Sequence, residues 1–398
     1  MNEIRLDKII DSIIFFYILS IYIFTYQEGL NVISNGIAVL LLALIWAAFL
    51  LNKKRLRFKF YLLVYLLFIF SCLFSAFYAI NQGTAITKFT TIFLVFTLMF
   101  SLINYLDSQV KIKRISASFV YSGVIASIYI LSNTDFTQIT RSGSELGNEN
   151  SVGIILGISA VLCFYFILIE KRKVHLFFFP ILFLVILLTG SRTALLFTLI
   201  NIILFLYFTN QNNVLGKIKF ITIGVTFTLI SFYLVFNIPF LYDVMGSRIG
   251  NISTFIGEGS TTEGSINNRA YMVKFGLEMF RDNPLFGYGI DNYRYLLGES
   301  LIGRITYSHN NFIELLVGVG LVGTILFYLV QIIVIKDLYK ASKHSNNKPL
   351  NFVFMVFIIT YMVLSVSQIY YFSKHFSIIL VIGAILGKMV DNLDFKKG

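Results

Sequence analysis

Runs of about twenty apolar residues recur along this chain, and they limit what it can fold into more than any motif does. A helix rises ~1.5 Å per residue, so each run has the length needed to cross a ~30 Å hydrocarbon core. Twelve spans are expected, near residues 9–27, 30–51, 60–80, 86–106, 115–132, 151–169, 174–188, 193–209, 218–238, 310–335, 350–370 and 375–390. The period-2 alternation of a membrane barrel is missing. With 57% hydrophobic and 13% charged residues and a mean hydropathy of +0.80, a 398-residue chain has too little polar surface to coat a soluble globule. The expected fold class is an all-α polytopic membrane protein, one membrane domain over 1–398 with a large extracytoplasmic loop at 239–309 before the tenth helix. The first span follows Arg5 and Lys8 as a signal peptide's would, but it lacks an A-x-A-like site and reads as a retained helix. Cys72 and Cys163 lie mid-span and read as small buried hydrophobes.

Charge orients the spans. With the N-terminus in the cytoplasm, the connections 52–59, 107–114, 170–173, 210–217 and 336–349, the tail and the adjoining helix ends hold 22 of the 32 Lys and Arg. That asymmetry follows the positive-inside rule. Both termini are therefore expected in the cytoplasm. The net charge of +12 reports topology, and nucleic acid is set aside as a partner. The outer basic residues also differ in kind, with 3 Lys against 7 Arg: Arg141, Arg192, Arg248, Arg269, Arg281, Arg294 and Arg304. Planar, permanently charged guanidinium groups suit phosphate or carboxylate recognition, while scattered surface arginines account for most members of the set taken singly.

Three outer segments hold polar candidates. In RSGSELGNENSVG (141–153), Arg141, Asn148 and Asn150 suit sugar or phosphate, or form a plain polar loop with helix-capping Asn and Ser. TGSRT (189–193) interrupts an apolar stretch from Val174 to Phe208. As one helix that stretch would be ~52 Å long, too long for a bilayer, so the chain turns there. Ser191 can cap a helix starting at Arg192, which joins a guanidinium to a positive helix end: an anion site in outline. Snorkelling of Arg192 to headgroups is the alternative.

The third segment is the long loop. It is Gly-, Ser- and Thr-rich, and expected to be flexible, up to about Ser265. From Asn267 to Asp282, Met272, Phe275, Met279 and Phe280 recur at helical spacing, which predicts an amphipathic helix with Arg269 in its first turn and Pro284 past its end. PLFGYGIDNY, with Tyr288, reads equally as a sugar-stacking surface and as an interfacial anchor. His309 then opens the tenth span beside Asn310, Asn311 and Glu314. The helix start favours a neutral imidazole that can accept a proton, and Glu314 is an acid entering the membrane.

These residues resemble the O-antigen ligase and O-antigen polymerase superfamily of bacterial polysaccharide assembly. The resemblance lies in RSGSELGNEN, in GSRT at a helix break, in NRAYMVKFGLEMFRDNPLFGYGIDNY and in SHNNFIELLVGVGLVG. It implies a class C-like membrane glycosyltransferase architecture and a metal-independent, inverting, cofactor-free transfer. The donor would be an undecaprenyl-diphosphate-linked saccharide, the acceptor a glycan outside the bacterial plasma membrane, and a chain-length regulator a partner. Arg192, Arg269 and His309 are implied as catalytic, the arginines holding the diphosphate and His309 contacting it or activating the acceptor hydroxyl. Arg141, Arg281, Tyr288, Asn310 and Glu314 are the further substrate-binding candidates.

Guanidinium groups can stabilise the charge that builds on a departing diphosphate, and no DxD-like acidic cluster is seen on the outer face. A repeat-unit polymerase is preferred to a ligase, from which the sequence barely separates it. A transporter of the lipid-linked unit fits less well, since charge gathers on one face and no internal repeat is visible. A peptidoglycan-type glycan polymerase would depend on an outer carboxylate such as Asp291 or Glu299.

Overall fold

The computed structural model describes residues 3–25, 27, 29–52, 56–137, 141–209, 214–251, 264–300, 303, 305–344 and 348–388. The Gly/Ser/Thr-rich stretch 252–263, Arg304, the basic triplet 53–55, residues 210–213 and the tail beyond 388 lie outside the described residues. Every regular element among those described is helical. Those of six residues or more are, in chain order, α1 (Glu3–Phe24), α2 (Asn31–Leu51), α3 (Phe60–Phe77), α4 (Gln82–Tyr105), α5 (Gln109–Asn133), α6 (Glu149–Leu168), α7 (His175–Leu188), α8 (Arg192–Thr209), α9 (Val214–Asn237), α10 (Gly264–Asp282), α11 (Tyr293–Gly298), α12 (Asn311–His344), α13 (Lys348–Val363) and α14 (Lys374–Lys388).

A helix occupies each of the twelve apolar stretches, and the amphipathic segment of the loop is helical as α10. Among the described residues nine helices are long and apolar enough to cross a membrane. The remaining three of the expected twelve differ for visible reasons. α1 carries Asp7, Lys8 and Asp11, while α7 and α14 have 14 and 15 residues. The protein is thus an all-helical polytopic membrane protein.

Small residues let the helices that carry the site approach closely. Gly153 and Gly157 of α6 lie against Ala194 and Thr198 of α8, where added Cβ atoms would come within 2.6 Å of the Ala194 Cβ and 2.7 Å of the Thr198 hydroxyl. Small residues four apart on both partners are a common solution in membranes, where apolar burial gives no net drive between helices. The contact brings the start of α6 beside the start of α8. At the opposite end of the bundle, Lys111 pairs with Asp7 (3.1 Å) and Asp107 (3.3 Å), and Arg114 with Asp11 (2.6 Å), tying α1 to the α4–α5 connection.

The loop is pinned to the bundle by backbone hydrogen bonds. α12 is broken at Gly320, whose φ of 64° and ψ of −169° leave the helical region. The exposed ladder is filled by the segment after α10: Tyr288 N–H donates to the Val317 carbonyl (2.8 Å), Gly289 N–H to Gly318 (2.9 Å), and Leu321 N–H to Pro284 (2.8 Å). Here two backbones touch. A Cβ on Gly320 would sit 2.2 Å from the Leu285 oxygen, and one on Gly287 2.5 Å from the Val317 oxygen. α3 completes the junction, with Ser75 Oγ accepting from Ile290 N–H (3.0 Å) and the Tyr78 hydroxyl donating to Phe286 (2.7 Å).

Candidate functional site

The α7–α8 turn is built as its sequence predicts. Ser191 Oγ accepts from Ala194 N–H at 3.3 Å, so Ser191 caps α8 and Arg192 is its first residue. Gly190 has φ +58°, and a Cβ there would meet the Val244 oxygen at 2.7 Å and Arg141 Cγ at 3.2 Å. Arg141 grips the same turn. Its Nε donates to the Thr189 carbonyl (2.7 Å), one terminal nitrogen donates to Asn150 (3.1 Å) and the other pairs with Glu149 (3.5 Å). Arg192 donates to the Arg248 carbonyl. Burial lowers the Arg141 guanidinium to about 10; Glu149 opposes this, and the charges of Arg248, Arg192 and Arg269 push further down. Four arginines from four separate segments therefore share one electropositive region.

Beside that region is a cavity of about 350 Å³. Arg269, Asn148, Asn150, Tyr307, His309 and Glu314 line it together with Lys88, Asp291, Arg294, Tyr371 and Lys374. Burial raises the Tyr307 phenol; Arg269 opposes the rise, Glu314 adds to it, and a hydrogen bond with Asn148 opposes it, which places Tyr307 among these groups. The docked loop supplies the carboxylate of Asp291, 2.6 Å from Arg294 and 3.5 Å from Lys88. The Lys88 ammonium also lies 3.7 Å from the centre of the Phe372 ring. Asn292 holds this turn to the start of α4, its Oδ1 accepting from Asn81 N–H at 2.6 Å.

At the mouth of α12 the chain folds tightly. Asn310 Oδ1 accepts from Phe312 N–H (3.0 Å) and Ile313 N–H (3.2 Å), capping the helix, while Asn311 Oδ1 accepts from Tyr370 and Tyr371 N–H (2.9 and 3.1 Å). His309 therefore takes a left-handed backbone, φ +55°, and stacks obliquely on Tyr307 with ring centres 4.2 Å apart. Of the three described non-glycine residues with positive φ, two, Asp291 and His309, line this cavity. Such strain concentrates at sites that the surrounding structure over-determines. Glu314 is 1% exposed; its Oε2 accepts from Ser308 N–H (3.0 Å) and lies 2.8 Å from Ser308 Oγ, and its Oε1 has no hydrogen-bond partner among the described residues.

The sequence candidates are thus distributed unevenly. His309, Arg269 and Glu314 meet on one cavity, with Arg141 and Arg192 in the adjoining arginine cluster. Asn310 is buried in its cap and Tyr288 packs with Met272 and Tyr293 under α10, so neither lines the cavity. Arg281 is exposed in the last turn of α10, ~18 Å along the helix from Arg269. The sequence marks Arg294 only as one of seven outer arginines and does not single out Lys88, Tyr371 or Lys374; the available signal is an ionisable residue inside an apolar span, which Lys88 supplies. Among the described residues no three His, Cys, Asp or Glu side chains are grouped to hold a metal ion.

A search of curated proteins found no match. Residues 177–328 do match the family model described as O-antigen ligase. The matched stretch spans the Thr189–Arg192 turn, Arg248, Arg269, the docked loop, His309, Glu314 and the break at Gly320. Over that stretch the chain is similar to the O-antigen ligase family.

Proposed function

We propose that the cavity is the active site of a metal-independent, inverting glycosyltransferase. It moves a saccharide from an undecaprenyl-diphosphate carrier to a glycan acceptor on the extracytoplasmic side of the plasma membrane, as a surface-polysaccharide repeat-unit polymerase. The convergence of His309, Glu314 and Arg269 on one cavity, beside the cluster of Arg141, Arg192 and Arg248, carries this reading. In the reaction an acceptor hydroxyl oxygen bonds to the anomeric carbon as the bond from that carbon to the diphosphate breaks. The electron pair leaves with the diphosphate, whose growing charge meets fixed guanidinium groups. The hydroxyl proton passes to a base on the cavity wall, His309 or Glu314, a contribution of typically ~10² to 10⁴-fold. One displacement inverts the anomeric configuration.

The test is the length pattern of surface polysaccharide in a deletion strain complemented with wild type, Arg192→Ala, Arg269→Ala or His309→Ala at matched protein levels. Single repeat units in place of a ladder support the polymerase. Ladders that stay on the carrier and never reach the final acceptor make the protein a ligase. Wild-type ladders from all three variants remove the site. One observation favours a second reading: Asp291 reaches the cavity with a strained backbone, as a carboxylate-dependent glycan polymerase would require. Its double ion pairing argues for a structural anchor; a block by Asp291→Asn but not by His309→Ala would reverse that assignment.

A further inference from the structure

Across the Lys88–Asp291–Arg294 cluster lies a second hollow of about 470 Å³, more open than the first. Lys88, Thr91, Asp291 and Arg294 line both spaces, so the ion cluster stands between them. The wall of the second hollow is a stripe on α4. Gly83, Thr84, Thr87 and Thr91 recur at helical spacing on one face of a helix whose other faces carry Ile86, Phe89, Ile92 and Phe93. Two stripe hydroxyls donate within the helix, Thr87 Oγ1 to Gly83 (2.9 Å) and Thr91 Oγ1 to Thr87 (3.1 Å), and their lone pairs stay available to a ligand. Across the hollow, Arg294 Nε is buried without a hydrogen-bond partner among the described residues. Hydroxyls, the Asn81 amide, a carboxylate and two cations around a broad open space match the many hydroxyl donors and acceptors of a sugar chain, and they do not suit an apolar tail.

We propose that this hollow is the acceptor-glycan subsite. The terminal sugar of the acceptor passes the Lys88–Asp291–Arg294 cluster to present its hydroxyl in the first cavity, while the carrier diphosphate lies on the arginine side. The assignment deepens the transferase reading and rests on it for the word acceptor. Donor and acceptor thereby approach from different sides, and a plug in the second hollow separates their effects.

Thr87 is exposed within the hollow, so Thr87→Trp fills it without entering the helix core. Two measurements on full-length protein in nanodiscs test the assignment: binding of carrier-free oligosaccharides released by mild acid from the producing strain's own polysaccharide, and transfer kinetics with donor and acceptor varied separately. Thr87→Trp should weaken oligosaccharide binding and raise the acceptor KM by ~10-fold or more with the donor KM within ~2-fold, and Thr87→Ala should change either by ~3-fold or less. Wild-type protein that binds no oligosaccharide, or Thr87→Trp protein that binds it unchanged, overturns the subsite. Binding that Thr87→Trp abolishes, in a protein that transfers nothing, keeps the subsite and removes the transferase reading instead.

Discussion

Glu314 lines the cavity from the first turn of α12, with Oε2 committed to Ser308 and Oε1 without a hydrogen-bond partner among the described residues. A carboxylate in that setting does two things. It fixes the Ser308–Asn310 turn that precedes α12, and it offers an acceptor oxygen to a substrate hydroxyl. Hydrogen bonds are worth ~0.5–1.5 kcal/mol between neutral groups and ~1.5–3 kcal/mol to charged ones, so exchanging the acid for an amide is felt in rate. Glu314→Gln keeps an oxygen for Ser308 and should lower transfer by about 10-fold with little change in Tm; Glu314→Ala removes both roles and should lower transfer by ~100-fold or more and Tm as well. Purified enzyme assayed for elongation and by thermal melt separates the two. Full activity in Glu314→Gln would show that the carboxylate's charge has no part in the chemistry.

At the scale of elements, the junction between the loop and broken α12 decides where Asp291 and Arg294 stand. Gly320 and Gly287 occupy opposite sides of one backbone contact, and both have positive φ. A non-glycine residue in a left-handed conformation costs ~1–2 kcal/mol, and the added Cβ meets backbone that cannot swing away. Gly320→Ala and Gly287→Ala should each lower Tm by several degrees, speed protease cutting between residues 264 and 298 and reduce transfer. Because they break the same contact, the double variant should fall well short of the sum. Gly36→Ala is the control: it sits in α2 with nothing within 4 Å, and there a better helix former should be neutral or stabilising by up to ~1 kcal/mol. A Gly320→Ala protein as stable as Gly36→Ala would dissolve the junction.

The same junction marks how far the sequence could be read. The turn before Arg192 and the helix bearing Arg269 were legible because span length and periodicity are local signals. PLFGYGIDNY looked like an aromatic surface, since its real partner, GVGLVG, lies some thirty residues on and pairs through backbone atoms that no side-chain pattern reports. Lys88 is hidden for a related reason: one cation near the end of an apolar span gains meaning only when the loop places Asp291 3.5 Å away.

At the scale of the whole molecule, the arginine-rich face and the lysine-rich face must lie on opposite sides of the membrane if the charge asymmetry sets orientation. Asp282, at the end of α10, is exposed on the face that carries the cavity; Lys340, in the last turns of α12, is exposed at the other end. The native thiols do not interfere, because Cys72 and Cys163 are both buried. In intact spheroplasts a membrane-impermeant maleimide should label Asp282→Cys at once and Lys340→Cys only after permeabilisation. The reverse pattern would put the cavity in the cytoplasm and the lysine-rich ends outside, against the positive-inside rule, and would remove the extracytoplasmic acceptor from the proposed reaction. Labelling of both positions in intact spheroplasts would mean that α12 does not span the bilayer. The cavity depends on that span, because α12 holds Glu314 at one end and Lys340 at the other, 26 residues or ~39 Å apart, enough to cross a ~30 Å core even with the break at Gly320.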